Sequence, residues 1–209
     1  VGYKVDDQQI LQQIDLTMHP GEFVTLAGPS GSGKSTLLRV LATLLTPTSG
    51  ELWYNGQAQA SYDKITYRRE VSYCFQQPSL VGEAVRDNLA FPFDIRKQAF
   101  DVSKAQQALT SVDLPADTLD KTIISLSGGQ KQRVALIRNL LFPPRVLLLD
   151  EISTGLDGET KAIVHRLIEQ MNQQGLTIIS VTHVDSEIAA ASRLLQVLAG
   201  RLEGSADAK

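Results

Sequence analysis

Apolar residues recur along this chain with two periods, and the period switches several times. "QILQQIDLTM", residues 9–18, alternates in the manner of a half-buried strand. "HPGE" follows as a turn carrying Pro20 and Gly21. "FVTLAG" is then a continuous apolar run closed by glycine, the pattern of a buried strand. In "KSTLLRVLATLL", residues 34–45, spacings of three and four take over. Leu37, Leu38, Leu41, Leu44 and Leu45 predict the buried stripe of a helix that "TPTSG" stops. "ELWYNGQ" predicts a short strand entering an Asn55-Gly56 hairpin turn, and "VSYCFQ" one more strand.

From Pro78 to about Thr122 the pattern is helical and loop-rich, with "VRDNLAF" and "VSKAQQALTSV" as the helix candidates. We read 78–122 as a helical insertion in a single domain, 1–209, whose core and β subdomain occupy 1–77 and 123–209. From Leu126 strands and helices alternate. A helix opens at "LSGGQKQRVALIRNL", and "RVLLLD" is a strand buried on both faces. "GETKAIVHRLIEQMNQQG" is a helix with Ile163, Val164, Leu167, Ile168 and Met171 inward. "LTIISVTH" is a strand, "SEIAAAS" a helix and "RLLQVLAG" a last strand, before a tail, "GSADAK", expected to fray. The rhythm predicts an α/β fold with a largely parallel sheet covered by helices.

One junction in this pattern carries chemistry. "GPSGSGKS", Gly28, Pro29, Ser30, Gly31, Ser32, Gly33, Lys34 and Ser35, fits G-x-x-x-x-G-K-[ST] between a strand and a helix. Glycines let backbone N–H groups turn inward around phosphate oxygens, and the helix N-terminus at Lys34, Ser35 and Thr36 adds partial positive charge. Lys34 brings a mobile charge for β- and γ-phosphates, and Ser35 a hydroxyl for Mg²⁺. Such a site needs a carboxylate at a neighbouring strand end. "VLLLDE" supplies Asp150 for the metal and Glu151 as the base that polarises an attacking water. These residues predict a P-loop nucleoside triphosphatase with Mg²⁺ and no more, a site that kinases, GTPases, helicases and transport motors share. No N-K-x-D element is present to read guanine.

A second junction is odd. "LSGGQ" opens a helix with Ser127, Gly128 and Gly129, although glycine is a poor helix former. Ser127 suits an N-cap, and the glycines leave backbone N–H groups uncovered. That is a second anion-binding helix end in one short chain. One nucleotide does not need two, so the second is expected to serve a nucleotide held by another copy of the chain.

Taken in order, these parts resemble the ATP-binding cassette (ABC) ATPases over essentially the whole length: an ABC cassette with a RecA-like core, an antiparallel β subdomain and a helical subdomain. Besides the phosphate loop and the acidic pair, Gln76 after "SYCF" is similar to the family's Q-loop glutamine, and Leu126 to Gln130 to its signature. "STGLD", ending at Asp157, resembles the D-loop, and His183 in "SVTH" the switch histidine. Tyr3 stands where the family has an aromatic that stacks on adenine. The resemblance implies a head-to-tail homodimer. Ser127, Gly128, Gly129 and Gln130 of one subunit would meet the γ-phosphate held by Lys34 of the other, with Asp157 acting across the seam. It implies that Gln76 reaches Mg²⁺ and the attacking water, and that His183 touches the γ-phosphate. Ile152 departs from the family's proline, and Gly155 from a common alanine. "SYCFQ", "ALIRNLLF" and "LLLDEIS" are similar to the ATPase subunits of Fet-type bacterial iron exporters.

Composition sharpens the choice of function. No segment approaches the ~18 consecutive apolar residues of a membrane-spanning helix. A transporter role therefore requires a separate multi-span permease, with this chain cytoplasmic and peripheral on the cytoplasmic face of the bacterial inner membrane. The insertion after Gln76 is the expected docking surface, with the aromatics of "NLAFPF", Asn88 to Phe93, as candidates. The alternative is a soluble ABC ATPase of DNA repair or translation. Gln76 and Ser127 are too close for the long coiled coil of repair types, and there is one set of motifs rather than two. A net charge of −3 gives no broad basic footprint, so no nucleic-acid partner is expected. The single cysteine, Cys74, forms no intrachain disulfide and reads as a buried small hydrophobe. His19 and His165 read as surface residues. The chain opens on Val1 in mid-pattern, so further N-terminal residues are expected.

Overall fold

Where an apolar run has no polar face, it lies between two layers. In the computed structural model, which describes residues 1–203, six strands form one sheet. They are β3 (Phe23–Ala27), β6 (Val71–Cys74), β7 (Val146–Asp150), β8 (Thr177–Val181), β9 (Arg193–Leu198) and β10 (Arg201–Glu203), in the order β10-β9-β3-β8-β7-β6. All neighbours are parallel except β9 and β10, which a tight turn joins through Ala199 and Gly200, both at positive φ. Two small antiparallel pairs lie outside this sheet: β1 (Tyr3–Val5) with β2 (Gln8–Leu11), and β4 (Trp53–Tyr54) with β5 (Gln57–Ala58) across the expected Asn55-Gly56 turn.

Strand alternation divides the core. Leu147, Leu149 and Ile178 point to one face, and Leu148, Ile179 and Val181 to the other. The first face is covered by α5 (Gly128–Leu140) and α6 (Gly158–Gln173), and the same cluster continues into α3 (Val85–Asp94) and α4 (Val102–Ser111). The second face is covered by α1 (Lys34–Leu41) and by Tyr67 of α2 (Lys64–Glu70). A short α7 (Asp185–Ala189) follows β8. The helical stretch is closed at its base, where Val85 N–H reaches Lys121 O and Ile123 N–H reaches Glu83 O at 3.0 and 2.8 Å.

Several expected elements come out shorter. The strand expected over 9–18 ends at Leu11, because Gln13 turns to φ 50°. The helix expected over 34–45 ends at Leu41, because Thr43 turns to φ 58°. Leu44 is then 40% exposed rather than in the stripe, and Val40 takes the buried position. The helix read at 186–192 spans Asp185–Ala189. Helix α2, with only one buried residue, was not anticipated. His165 is half-buried and bonded, not a plain surface residue. Cys74 is buried as expected, and burial pushes its thiol up to about 12. The "GSADAK" tail lies outside the described residues.

Helix starts are chemically defined. Asp63, Asp101 and Asp157 each accept a backbone N–H three residues on. Helix α5 has a full capping box: Ser127 Oγ accepts from Gln130 N–H, and Gln130 Oε1 accepts from Ser127 N–H.

Candidate nucleotide site

The ends of β3, β6, β7 and β8 lead to Gly28, Gln76, Glu151 and His183 in turn. In a parallel sheet these carboxyl ends share one edge, so residues far apart in sequence meet there.

The phosphate loop is held from behind. A Cβ on Gly28 would lie 2.2 Å from Val197 O, and one on Gly33 would lie 2.9 Å from Leu11 Cδ2. Gly200 in the β9–β10 turn donates its N–H to Ser32 O at 3.0 Å, and accepts from Gln12 N–H at 2.7 Å. The loop backbone therefore has glycine where the chain itself approaches too closely for a side chain. Lys34 is buried, and its ammonium donates to Gly28 O and Pro29 O at 2.8 Å each, curled inside the loop. Among the described residues, Ser32 Oγ is the one buried side-chain polar atom without a partner. Gly31 carries open space where a Cβ would be. A buried unpaired hydroxyl costs about 1–3 kcal/mol, so this loop fits a polyanion that supplies acceptors.

The acidic pair splits into two environments. Asp150 is 3% exposed, and Ser35 Oγ donates to its Oδ1 at 2.7 Å. The Tyr73 hydroxyl donates to the other oxygen, Oδ2. A hydroxyl and one carboxylate on a dry wall fit a hard, oxygen-seeking cation that arrives with phosphate ligands. No cluster of three or more His, Cys, Asp or Glu among the described residues would hold a metal unaided.

Glu151 leaves the strand with φ 51°, a left-handed conformation uncommon outside glycine and common at sites under functional constraint. Its Oε2 accepts from Gln76 Nε2 at 2.9 Å and lies 3.4 Å from His183 Nδ1. Glu151, Gln76 and His183 thus converge on one oxygen beside the Ser35–Asp150 pair. Behind them sits Glu187, which grips His165 of α6 at 3.0 Å and also meets Ser153 and Thr182. Burial alone would raise its carboxyl, but these hydrogen bonds outweigh it and hold the group at about 2.

The other expected residues are more dispersed. Tyr3 is partly buried and pairs across strands with Leu11, whose side chain abuts Gly33. Asp157 spends its carboxylate on Thr160 N–H and Oγ1, both at 2.8 Å, and these bonds hold its pKa below the usual value. Gln130 spends its amide in the capping box. Gly128 has open space around it, whereas a Cβ on Gly129 would sit 3.0 Å from Thr160 Oγ1. Ile152 is buried in the core, and Gly155 has φ 75°. Tyr73, Glu187 and His165 were missed in the sequence. A signal existed for Tyr73: Cys74 faces the core, so strand alternation turns Tyr73 toward α1 and the phosphate loop.

The chain and its fold match known proteins. Residues 11–154 match the ABC transporter family. The chain is 44% identical, over 97% of its length and 92% of the other's, to the probable iron export ATP-binding protein FetA of Escherichia coli. It is 38% identical, over 97% of its length and 75% of the other's, to an energy-coupling factor transporter ATP-binding protein of Halalkalibacterium halodurans. Its fold matches a dimeric, post-hydrolysis state of the ATP-binding cassette MJ0796 bound to ADP and Pi, with a TM-score of 0.88 and 28% identity, covering 100% of this chain and 95% of that one. The chain belongs to the ABC transporter family and is one of its ATP-hydrolysing cassettes.

Proposed function

We propose that this cassette powers export of iron or another metal through a separate multi-span permease, working as a homodimer on the cytoplasmic face of the membrane. The similarity to FetA supports the cargo class. No helix among the described residues is long and apolar enough to cross a membrane, and in this reading a separate permease supplies the pathway. Phe91 and Ile95, 45% and 43% exposed on and just after α3, are apolar groups available to that chain. Phe93 is not, being buried against Phe100 and Phe142.

The observation that carries the catalytic reading is the convergence of Gln76, Glu151 and His183 beside Ser35 and Asp150. ATP enters the loop with Lys34 turning from the Gly28 and Pro29 carbonyls to the β- and γ-phosphates. Tyr3 stacks on the adenine. Ser35, Asp150 and Gln76 would hold Mg²⁺, which would supply charge neutralisation for the transferred phosphoryl group. Glu151 accepts the proton of the attacking water, and His183 contacts the γ-phosphate. Ser127, Gly128 and Gly129 of the second subunit close the site, and the Asp157 loops meet at the seam.

Glu151→Gln tests this. The variant is expected to bind ATP normally, to accumulate an ATP-bound dimer, and to turn over about 10²–10⁴-fold more slowly. Undiminished turnover would remove Glu151 from the role of base.

A further inference from the structure

Asp150 is held at both oxygens, and only one of the two contacts belongs to the phosphate loop. Ser35 Oγ takes Oδ1 at 2.7 Å, and the Tyr73 hydroxyl takes Oδ2. A carboxylate rotates easily about its last bond, with a broad, two-fold preference. Ser35 alone leaves that rotation soft, whereas a second donor on Oδ2 fixes the plane and aims Oδ1 at the Ser35 hydroxyl. We propose that Tyr73 is a positioning residue for the metal site, setting the orientation of the Asp150 carboxylate without itself touching metal or nucleotide.

The surroundings of Tyr73 suit that task. It lies on β6, the strand hydrogen-bonded to β7, opposite Leu148. Its ring is half-buried and packs edge-on against Phe75, with centroids 4.7 Å apart. A phenol has one proton to give, and that of Tyr73 is directed at Asp150 Oδ2. The strand carrying Tyr73 continues directly to Gln76, so the orientation of Asp150 is tied to the segment that leads into the helical stretch.

This rests on reading Ser35 and Asp150 as the metal site, and the experiment separates the two. Binding of a fluorescent ATP analogue is measured on the full chain, in EDTA and across a Mg²⁺ titration, with Mn²⁺ spin resonance as a direct metal readout. Tyr73→Phe keeps the ring. It is expected to leave nucleotide affinity in EDTA unchanged, and to raise the Mg²⁺ and Mn²⁺ half-saturation by about 10–100-fold. Asp150→Asn is expected to lose the metal-dependent component altogether. If Asp150→Asn loses it and Tyr73→Phe titrates like the unsubstituted chain, the positioning role is wrong and the site stands. If Tyr73→Phe weakens binding equally with and without metal, Tyr73 is packing only. If Asp150→Asn retains normal metal dependence, the site itself is elsewhere.

Discussion

Gly33 caps the start of α1 and Gly128 opens α5, and their surroundings could hardly be less alike. The start of α1 is wrapped by its own chain: Val197, Gly200, Leu11 and Ile10 crowd Gly28 and Gly33, and Lys34 is folded into the loop. The start of α5 is supported only from one side. Thr160 presses on Gly129, while Gly128 faces nothing, and Ile124 just before it is 88% exposed. Each end has glycine imposed by internal contact, Gly28 and Gly33 in the first and Gly129 in the second, and one glycine that is bare, Gly31 in the first and Gly128 in the second. The bare positions are where an incoming group can approach the backbone. At α1 the chain supplies a lysine and a hydroxyl to complete the pocket. At α5 the bare glycine faces open space, and we read it as completed by another molecule. In our reading that is the nucleotide on a second copy.

The difference between the two ends can be attacked directly. Ser127→Arg puts a long side chain on the open end alone. Nucleotide binding to the single subunit should be unchanged, ATP-driven dimerisation should vanish in size-exclusion or light-scattering measurements, and turnover should fall by about 100-fold or more. Dimerisation at unaltered strength would dissolve the contrast. The glycine pair separates more finely. Gly129→Ala should destabilise the monomer by about 1–3 kcal/mol in chemical denaturation, because Thr160 is pinned by Asp157 and cannot yield. Gly128→Ala should stabilise it by about 0.5–1 kcal/mol, since the position is helical and open, yet should weaken the dimer. Equal effects of the two would mean that both glycines answer to the same constraint.

The smallest effect concerns the support behind α5. Helix α6 carries both Thr160 and His165, and Glu187 holds the latter. Glu187 sits at about 2 in the folded chain against an ordinary 4.5. A carboxyl depressed on folding stabilises fully above its ordinary pKa and loses that contribution as pH falls through the folded value. Melting temperatures of Glu187→Gln and the unsubstituted chain should therefore differ at neutral pH and converge between about 4.5 and about 2. A gap that stays constant over that window would show that Glu187 does not grip α6 as a carboxylate.

How much of this was legible in the sequence follows from the range over which each interaction acts. The phosphate loop, "LSGGQ" and the Asp150-Glu151 pair are contiguous runs in which backbone shape and chemistry are encoded together, so both their presence and their flanking elements could be read. The sheet's strands were legible because burial on both faces leaves an unbroken apolar run. The ends of elements were not, because single residues such as Gln13 and Thr43 adopt positive φ without being glycine. Helix α2 was hidden by its length, seven residues with little apolar stripe. Tyr73 and Glu187 lay beyond reach for another reason: their partners are 77 and 22 positions away, across a sheet or between helices. Even Gly129 was only half understood, since its internal neighbour Thr160 is invisible in the local pattern.

The capping box of α5 has a quantitative side. A helix start offers a handful of unpaired N–H groups to an anion. Here the reciprocal bonds between Ser127 and Gln130 occupy the N–H of both residues, which leaves those of Gly128 and Gly129. In our reading the end is a two-pronged socket, which would grip a visiting anion more lightly than an uncapped start. Light grip suits a contact that must be made and broken in every cycle. Self-capping also means that separation leaves a folded, satisfied helix rather than a fraying one, so the apart state is a resting position rather than a damaged one.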